Sequence, residues 1–176
     1  MENKSSTLKS HMLQYGLLLA SISLVFSLML FFLDMHYQGG LDQLIVVIII
    51  MLAVIAVAQY NFRKANNDFM SLGESVKLGL GLTLVHIIVA LLYFVLLATV
   101  MDTDTIDKMN EVQLIQMSES SYVTDEIIEQ TREKIENTSF SGHLQNAIIS
   151  IIIINLFLGL ILSFISGLIL KRNRPE

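Results

Sequence analysis

The chain contains no cysteine, which excludes disulfides, thiol catalysis and thiolate metal sites. Tryptophan is absent too, and the one proline, Pro175, lies beyond the last apolar run, so no run carries a proline break. Charge is nearly missing from four stretches: residues 12–33, 44–58, 76–101 and 147–170. No phosphate-binding glycine loop, nucleophile elbow or HExxH occurs.

What fills the gaps is apolar: 53% of the 176 residues are hydrophobic, and they come in runs rather than in stripes. A helix needs about 20 apolar residues to cross roughly 30 Å of hydrocarbon. Three of the runs meet that length alone, and the second meets it once its polar ends join as interfacial flanks. Backbone in lipid must satisfy its own hydrogen bonds, so the expected form is an all-α bundle of four membrane helices in a single domain, with spans near 12–34, 42–62, 74–101 and 146–170. The first run ends without a small-residue cleavage site, so it reads as an uncleaved span rather than a signal peptide.

The net charge of −5 hides a segregation. Lys4 and Lys9 precede span one, and the first loop has no base. Arg63, Lys64 and Lys77 flank the second connection; Lys171, Arg172 and Arg174 follow span four. Eight of the eleven basic residues thus fall on one side, which places both termini in the cytoplasm. The third loop, 102–145, carries Lys108, Arg132 and Lys134 among ten acids and should lie outside.

That loop is too long to be a bare connector. Thr124 is an N-cap candidate, followed by Asp125 and Glu126, and an isoleucine face continues through Ile127, Ile128 and Ile135. A second helix is expected from Thr105 to Met117, where apolar residues recur every three positions and wander around the helix. The expectation is an acidic helical hairpin whose edge of Ile127, Ile128 and Ile135 contacts the membrane surface or a partner.

Between spans two and three the order Tyr60-x-Phe62-Arg63-Lys64, Asn67-x-Phe69 and Leu72-Gly73-Glu74-x-x-Lys77-x-Gly79 resembles the bacterial membrane proteins grouped as domain of unknown function 4199. The resemblance covers residues 12–170. It implies four spans, a long acidic outer loop before the last span, and a bacterial inner membrane. It brings no activity and no site residues.

Each span carries a small or polar face at helical spacing. Span one offers Gly16, Ala20, Ser23 and Ser27; span three Ser75, Gly79, Thr83, His86 and Ala90; span four Asn155, Gly159, Ser163 and Gly167. Small residues four apart let membrane helices approach closely. Counted from span midpoints, Ser23, Ser27, His86 and Asn155 fall within a slab roughly 9 Å deep. The expected packing therefore joins spans one, three and four along these faces. His86 should bond to Ser23 or Thr83, and Asn155 to Ser27 or a nearby carbonyl, with span two peripheral. His86 is the one titratable residue deep in a span, and the bland reading is a neutral, hydrogen-bonded side chain. His36 and His143, with Asp34 and Asp42, share the outer side but lack ligand spacing, so no metal or cofactor is expected.

No acid, base and nucleophile converge, which argues for a non-enzymatic interaction or scaffold protein acting through the acidic loop. Its expected partners are the lipid bilayer and a protein or a second copy, not nucleic acid. The alternative is a small transporter or channel subunit with His86 and Asn155 lining a polar path. The topology is open to a direct check. Cysteines placed singly at Ser5, Gln38, Asn66, Ser120 and Asn173 should react with an impermeant thiol reagent in intact cells only at Gln38 and Ser120. Labelling at Asn66 would overturn the orientation.

Overall fold

The computed structural model describes residues 2–173, with side chains from Thr7 onward; the Lys4 side chain and Arg174, counted above among the flanking bases, lie outside the described residues. Six α-helices follow one another: α1 (Glu2–Phe32), α2 (Leu41–Ala65), α3 (Leu72–Leu96), α4 (Thr105–Glu119), α5 (Asp125–Glu136) and α6 (Phe140–Leu170). A π-helical turn, Leu97–Met101, extends α3. Helices α1, α2, α3 and α6 are long and apolar enough to cross a membrane. Their outward faces keep large side chains such as Val25, Ile49, Leu92 and Phe157 exposed, as a lipid-facing belt requires.

The ends are set by local chemistry. Ser71 accepts from the Glu74 backbone N–H, and Glu74 accepts from the Ser71 N–H, so a full capping box starts α3. Asn67 and Asp68 take positive φ in the turn between α2 and α3, where Asn and Asp tolerate left-handed backbone. Ser139 caps α6 by accepting from Gly142. Thr124 precedes α5 without a side-chain cap bond.

α1 packs on α3, α3 on α6, α6 on α2 and α2 on α1, closing a ring. α1 and α6 lie across the ring with no substantial contact, and α2 touches α3 more lightly. This corrects two expectations. Spans one, three and four do not share one seam, and span two is not peripheral. Its inward face is Met51, Val54, Ile55, Ala58, Gln59 and Phe62, all buried. Ala53 is exposed and Ala56 half-buried, so α2 enters the core with large apolar side chains rather than small ones.

A close approach joins α3 and α6. A Cβ added at Gly79 would stand 2.1 Å from the Ser163 Cβ, and one at Gly167 would stand 2.1 Å from the Ser75 hydroxyl. Thr83 fills the space over Gly159 in the same way. The seam thus alternates glycine on one helix with serine or threonine on the other. Below it sits the main apolar core of Leu19, Met51, Ile55, Phe62, Leu78 and Leu82. A smaller cluster of Phe94, Ala98 and Ile106 closes the other end, against Leu144 and Ile148.

Gly79→Leu should therefore cost about 1–3 kcal/mol of bundle stability by overpacking. Gly73→Ala, where a Cβ meets nothing within 4 Å, should leave stability unchanged or slightly raised. Unfolding curves of the two variants in detergent, set beside the parent chain, provide the measurement.

Candidate functional site

Because α1 and α6 do not meet, a space remains inside the ring above the seam. It is a cavity of about 320 Å³. Ser23 and Ser27 of α1, His86 of α3 and Asn155 of α6 all line it. The four residues of the expected polar layer thus surround one chamber. Asn155 bonds a nearby backbone carbonyl, as expected, whereas Thr83 does not pair with His86. Asn155 donates its amide N–H to the Ile151 carbonyl of its own helix at 2.8 Å. Thr83 donates to Gly79 at 2.8 Å rather than meeting His86. The imidazole is 5% exposed, and its buried Nδ1 has no protein partner. Across the chamber the Tyr93 hydroxyl donates to the Ser27 carbonyl at 3.3 Å.

Toward α4 and α5 the chamber continues into a wider vestibule of about 1060 Å³. Phe26, Ser27, Leu30, Phe94 and Met109 line both spaces. The vestibule is walled by the α1–α2 loop, α4, α5 and the first turns of α6. Gln116 of α4 donates to the Gln38 carbonyl at 3.0 Å, tying α4 to that loop. Ile128 and Ile135 are half-buried, and Ile135 lines the vestibule. Ile127 points away and is 47% exposed. The expected contact edge is therefore split over two faces.

Asp102 organises the mouth. Its Oδ2 accepts from the His36 Nε2 at 2.9 Å and from the Lys108 ammonium at 2.8 Å. Thr105 Oγ1 lies 3.3 Å from the same imidazole nitrogen. Lys108 also stands over the Tyr37 ring. His36 therefore pairs with a carboxylate far along the chain rather than with its neighbours Asp34 and Asp42. His143 is engaged elsewhere, with its Nε2 3.0 Å from the Ile135 carbonyl. Among the described residues no group of three or more His, Asp or Glu side chains is placed to hold a metal ion.

Sequence reasoning missed Gln59. It closes the second apolar run, where an amide reads as an interfacial end. In the structure it is fully buried, donating to the Ser163 carbonyl at 3.0 Å and reaching toward Ser75 O at 3.5 Å. Ser75 Oγ donates to the same Ser163 carbonyl at 3.0 Å. The signal was present in spacing, since Gln59 lies on the face of Met51, Ile55 and Phe62.

The hydrogen bond from Lys108 holds the Asp102 carboxyl below the usual carboxylate range, helped by His36 and Thr105. A carboxyl with a lowered folded pKa adds stability above its unfolded value of about 3.9 and loses it as pH falls through the folded value. Closure of the mouth should therefore hold at about pH 5 and weaken below about pH 4. Melting in detergent across that range should fall less for Asp102→Asn than for the parent chain. An equal fall in both would remove Asp102 as the cause.

The residues that close the opposite side are those of the motif between spans two and three. Phe62 is buried in the core, Arg63 donates to the Leu170 carbonyl at 3.2 Å, and Asp68 pairs with Arg63, Lys64 and Arg172. No curated protein and no solved structure matches the chain. A family model does, over residues 14–172, nearly the whole length. The chain belongs to the family described as "Protein of unknown function (DUF4199)".

Proposed function

We propose that the chain is a non-enzymatic interaction protein of a bacterial cytoplasmic membrane, with both termini in the cytoplasm, and that its α4–α5 pair holds a basic partner on the outer side. The observation that carries this reading is the state of α5. None of its residues is buried. Asp125, Glu126, Glu129, Glu133 and Glu136 are all exposed, and Ile127 and Tyr122 stand out beside them, the latter 95% exposed. An acidic surface with apolar side chains among the charges suits a partner of opposite charge, because complementary charge steers and orients association.

The chemistry of the polar groups supports a non-enzymatic role. A hydrolytic relay uses both imidazole nitrogens, a carboxylate on one and a hydroxyl on the other. Asp102 and Thr105 both face Nε2 of His36, and its Nδ1 is buried without a protein partner. His86 has serines and Asn155 around it, and no carboxylate lines its chamber. A second reading, a small transporter or channel subunit, is favoured by the chamber that links His86 and Asn155 to the vestibule. Against a continuous path stands the tight seam beneath it, where Gly79 meets Ser163.

A photoreactive residue at Ile127 or Tyr122 should yield a discrete adduct in intact cells, and one at the lipid-facing Ile153 should not. Neutralising Glu126, Glu129 and Glu133 to Gln should lower the yield, as should added salt. No discrete adduct from either position, or an adduct indifferent to charge, would sink the proposal.

A further inference from the structure

We propose that the chamber between α1, α3 and α6 binds one hydrocarbon chain bearing an uncharged hydroxyl head, with the head at His86 and Asn155 and the chain directed toward α4 and α5. The inference is independent of the α5 surface.

The shape of the chamber carries the first part. Along α3 its lining runs from His86 to Leu97, which at 1.5 Å per residue is about 16 Å. That length, in a cavity of about 320 Å³, suits an extended hydrocarbon chain lying along α3. The walls between the ends are mostly apolar, Leu24, Phe26, Leu30, Val89, Phe94 and Leu97, with the Tyr93 hydroxyl there bonded to the Ser27 carbonyl.

Water is a poor filling. The space would take about ten molecules at about 30 Å³ each, and a buried water needs two to four polar partners. Polar atoms gather at the two ends, and between them the Tyr93 hydroxyl is engaged with the Ser27 carbonyl. At the end toward α4, His36 Nε2 and Thr105 are engaged at Asp102, which leaves the His36 Nδ1 as a lone unpartnered nitrogen there. At the other end the His86 Nδ1 is buried and has no protein partner, while Ser23 and Asn155 line the same end. A head placed there meets an imidazole nitrogen, an amide and a hydroxyl. The geometry therefore orients the ligand, head toward the seam.

Charge decides the class of head. No Asp, Glu, Lys or Arg lines the chamber, and an unpaired ion in such surroundings is strongly disfavoured by desolvation. A phosphate, a carboxylate or an ammonium head is thus disfavoured. A hydroxyl both donates and accepts, which matches the mixed groups on offer. Straight-chain alcohols and branched isoprenoid alcohols share this chemistry. Both can enter from the vestibule, which shares eight lining residues with the chamber, Val47, Ile151 and Asn155 besides the five named above.

The test uses the full chain in lipid nanodiscs and a diazirine-bearing hexadecanol as the probe, with labelled peptides mapped by mass spectrometry. Label should concentrate on the α1 segment around Ser23 and the α3 segment from His86 to Leu97. Excess hexadecanol or farnesol should compete, and which competes better separates the two sources. Hexadecane and hexadecyltrimethylammonium should not compete. Ala90→Leu, which fills the chamber one turn above His86, should lower labelling about tenfold at unchanged melting temperature. His86→Leu should lower it about tenfold too, the effect of losing one hydrogen bond to the head, while His86→Gln retains most of it. Should Ala90→Leu fail to fold, the two His86 variants decide. Label spread evenly over the lipid-facing Ile153 and Phe157 segments overturns the proposal. So does equal competition by hexadecane, or labelling indifferent to His86→Leu.

Discussion

The close approach of α3 to α6 is the constraint on which the rest depends. Lipid tails are as apolar as leucine, so membrane helices gain little by pressing Leu against Leu and associate instead where backbones come near. Here Gly79 and Gly167 admit Ser163 and Ser75, and the contact leaves no room for a Cβ. Proximity of the backbones brings their carbonyls within reach of side chains. The Ser163 carbonyl accepts from both Ser75 and Gln59, so the third helix, α2, is recruited by a hydrogen bond that exists only because the seam is tight. The same tightness produces the chamber. One turn beyond the Thr83–Gly159 contact the facing residues become His86 and Asn155, too large for such proximity, and the ring opens.

The family motif reads differently once its contacts are known. Phe62 fills the core, Arg63 and Asp68 bridge the α2–α3 turn to the end of α6, and Gly79 makes the seam possible. Met70 and Arg172 add a reciprocal pair of backbone hydrogen bonds at 3.0 and 2.9 Å. These residues build one end of the bundle. None of them lines the chamber or the vestibule. A sequence signature of this kind identifies a fold and stays silent on what the fold does.

Four spans were legible because composition alone separates lipid-soluble stretches from the rest. The inward placement of Ser23, Ser27, His86 and Asn155 was legible too, since polar groups at helical spacing have a preferred face. The order of the ring was not. In a soluble bundle the apolar face names the buried side, but in a membrane the buried and lipid-facing sides are both apolar. Met51, Ile55 and Phe62 look no different in sequence from the exposed Leu52 and Val57. Small residues marked the seam faces of α3 and α6, and their scarcity on α2 suggested a peripheral helix. Gln59, the polar atom that could have corrected this, sat at the end of a run where interfacial amides are ordinary. The pairing of His36 with Asp102 joins residues 66 apart, a distance over which spacing carries no information.

The two ends of the bundle are each gathered by a single aspartate, and the difference between them explains where the molecule can open. Asp68 draws Arg63, Lys64 and Arg172 together across the start and end of the chain's middle and last spans. That end is also backed by the seam, by buried Met70 and by the larger core. Exposed ion pairs alone would contribute little; there they only decorate a packed structure. Asp102 holds Lys108 and His36 over a smaller apolar cluster, and α5 rests mainly on α4. Regions with few buried apolar contacts open at the lowest free-energy cost. The vestibule therefore lies at the less heavily packed end, where Asp102, the Gln116–Gln38 bond and the smaller apolar cluster join α4 to the spans, while the seam backs the other end.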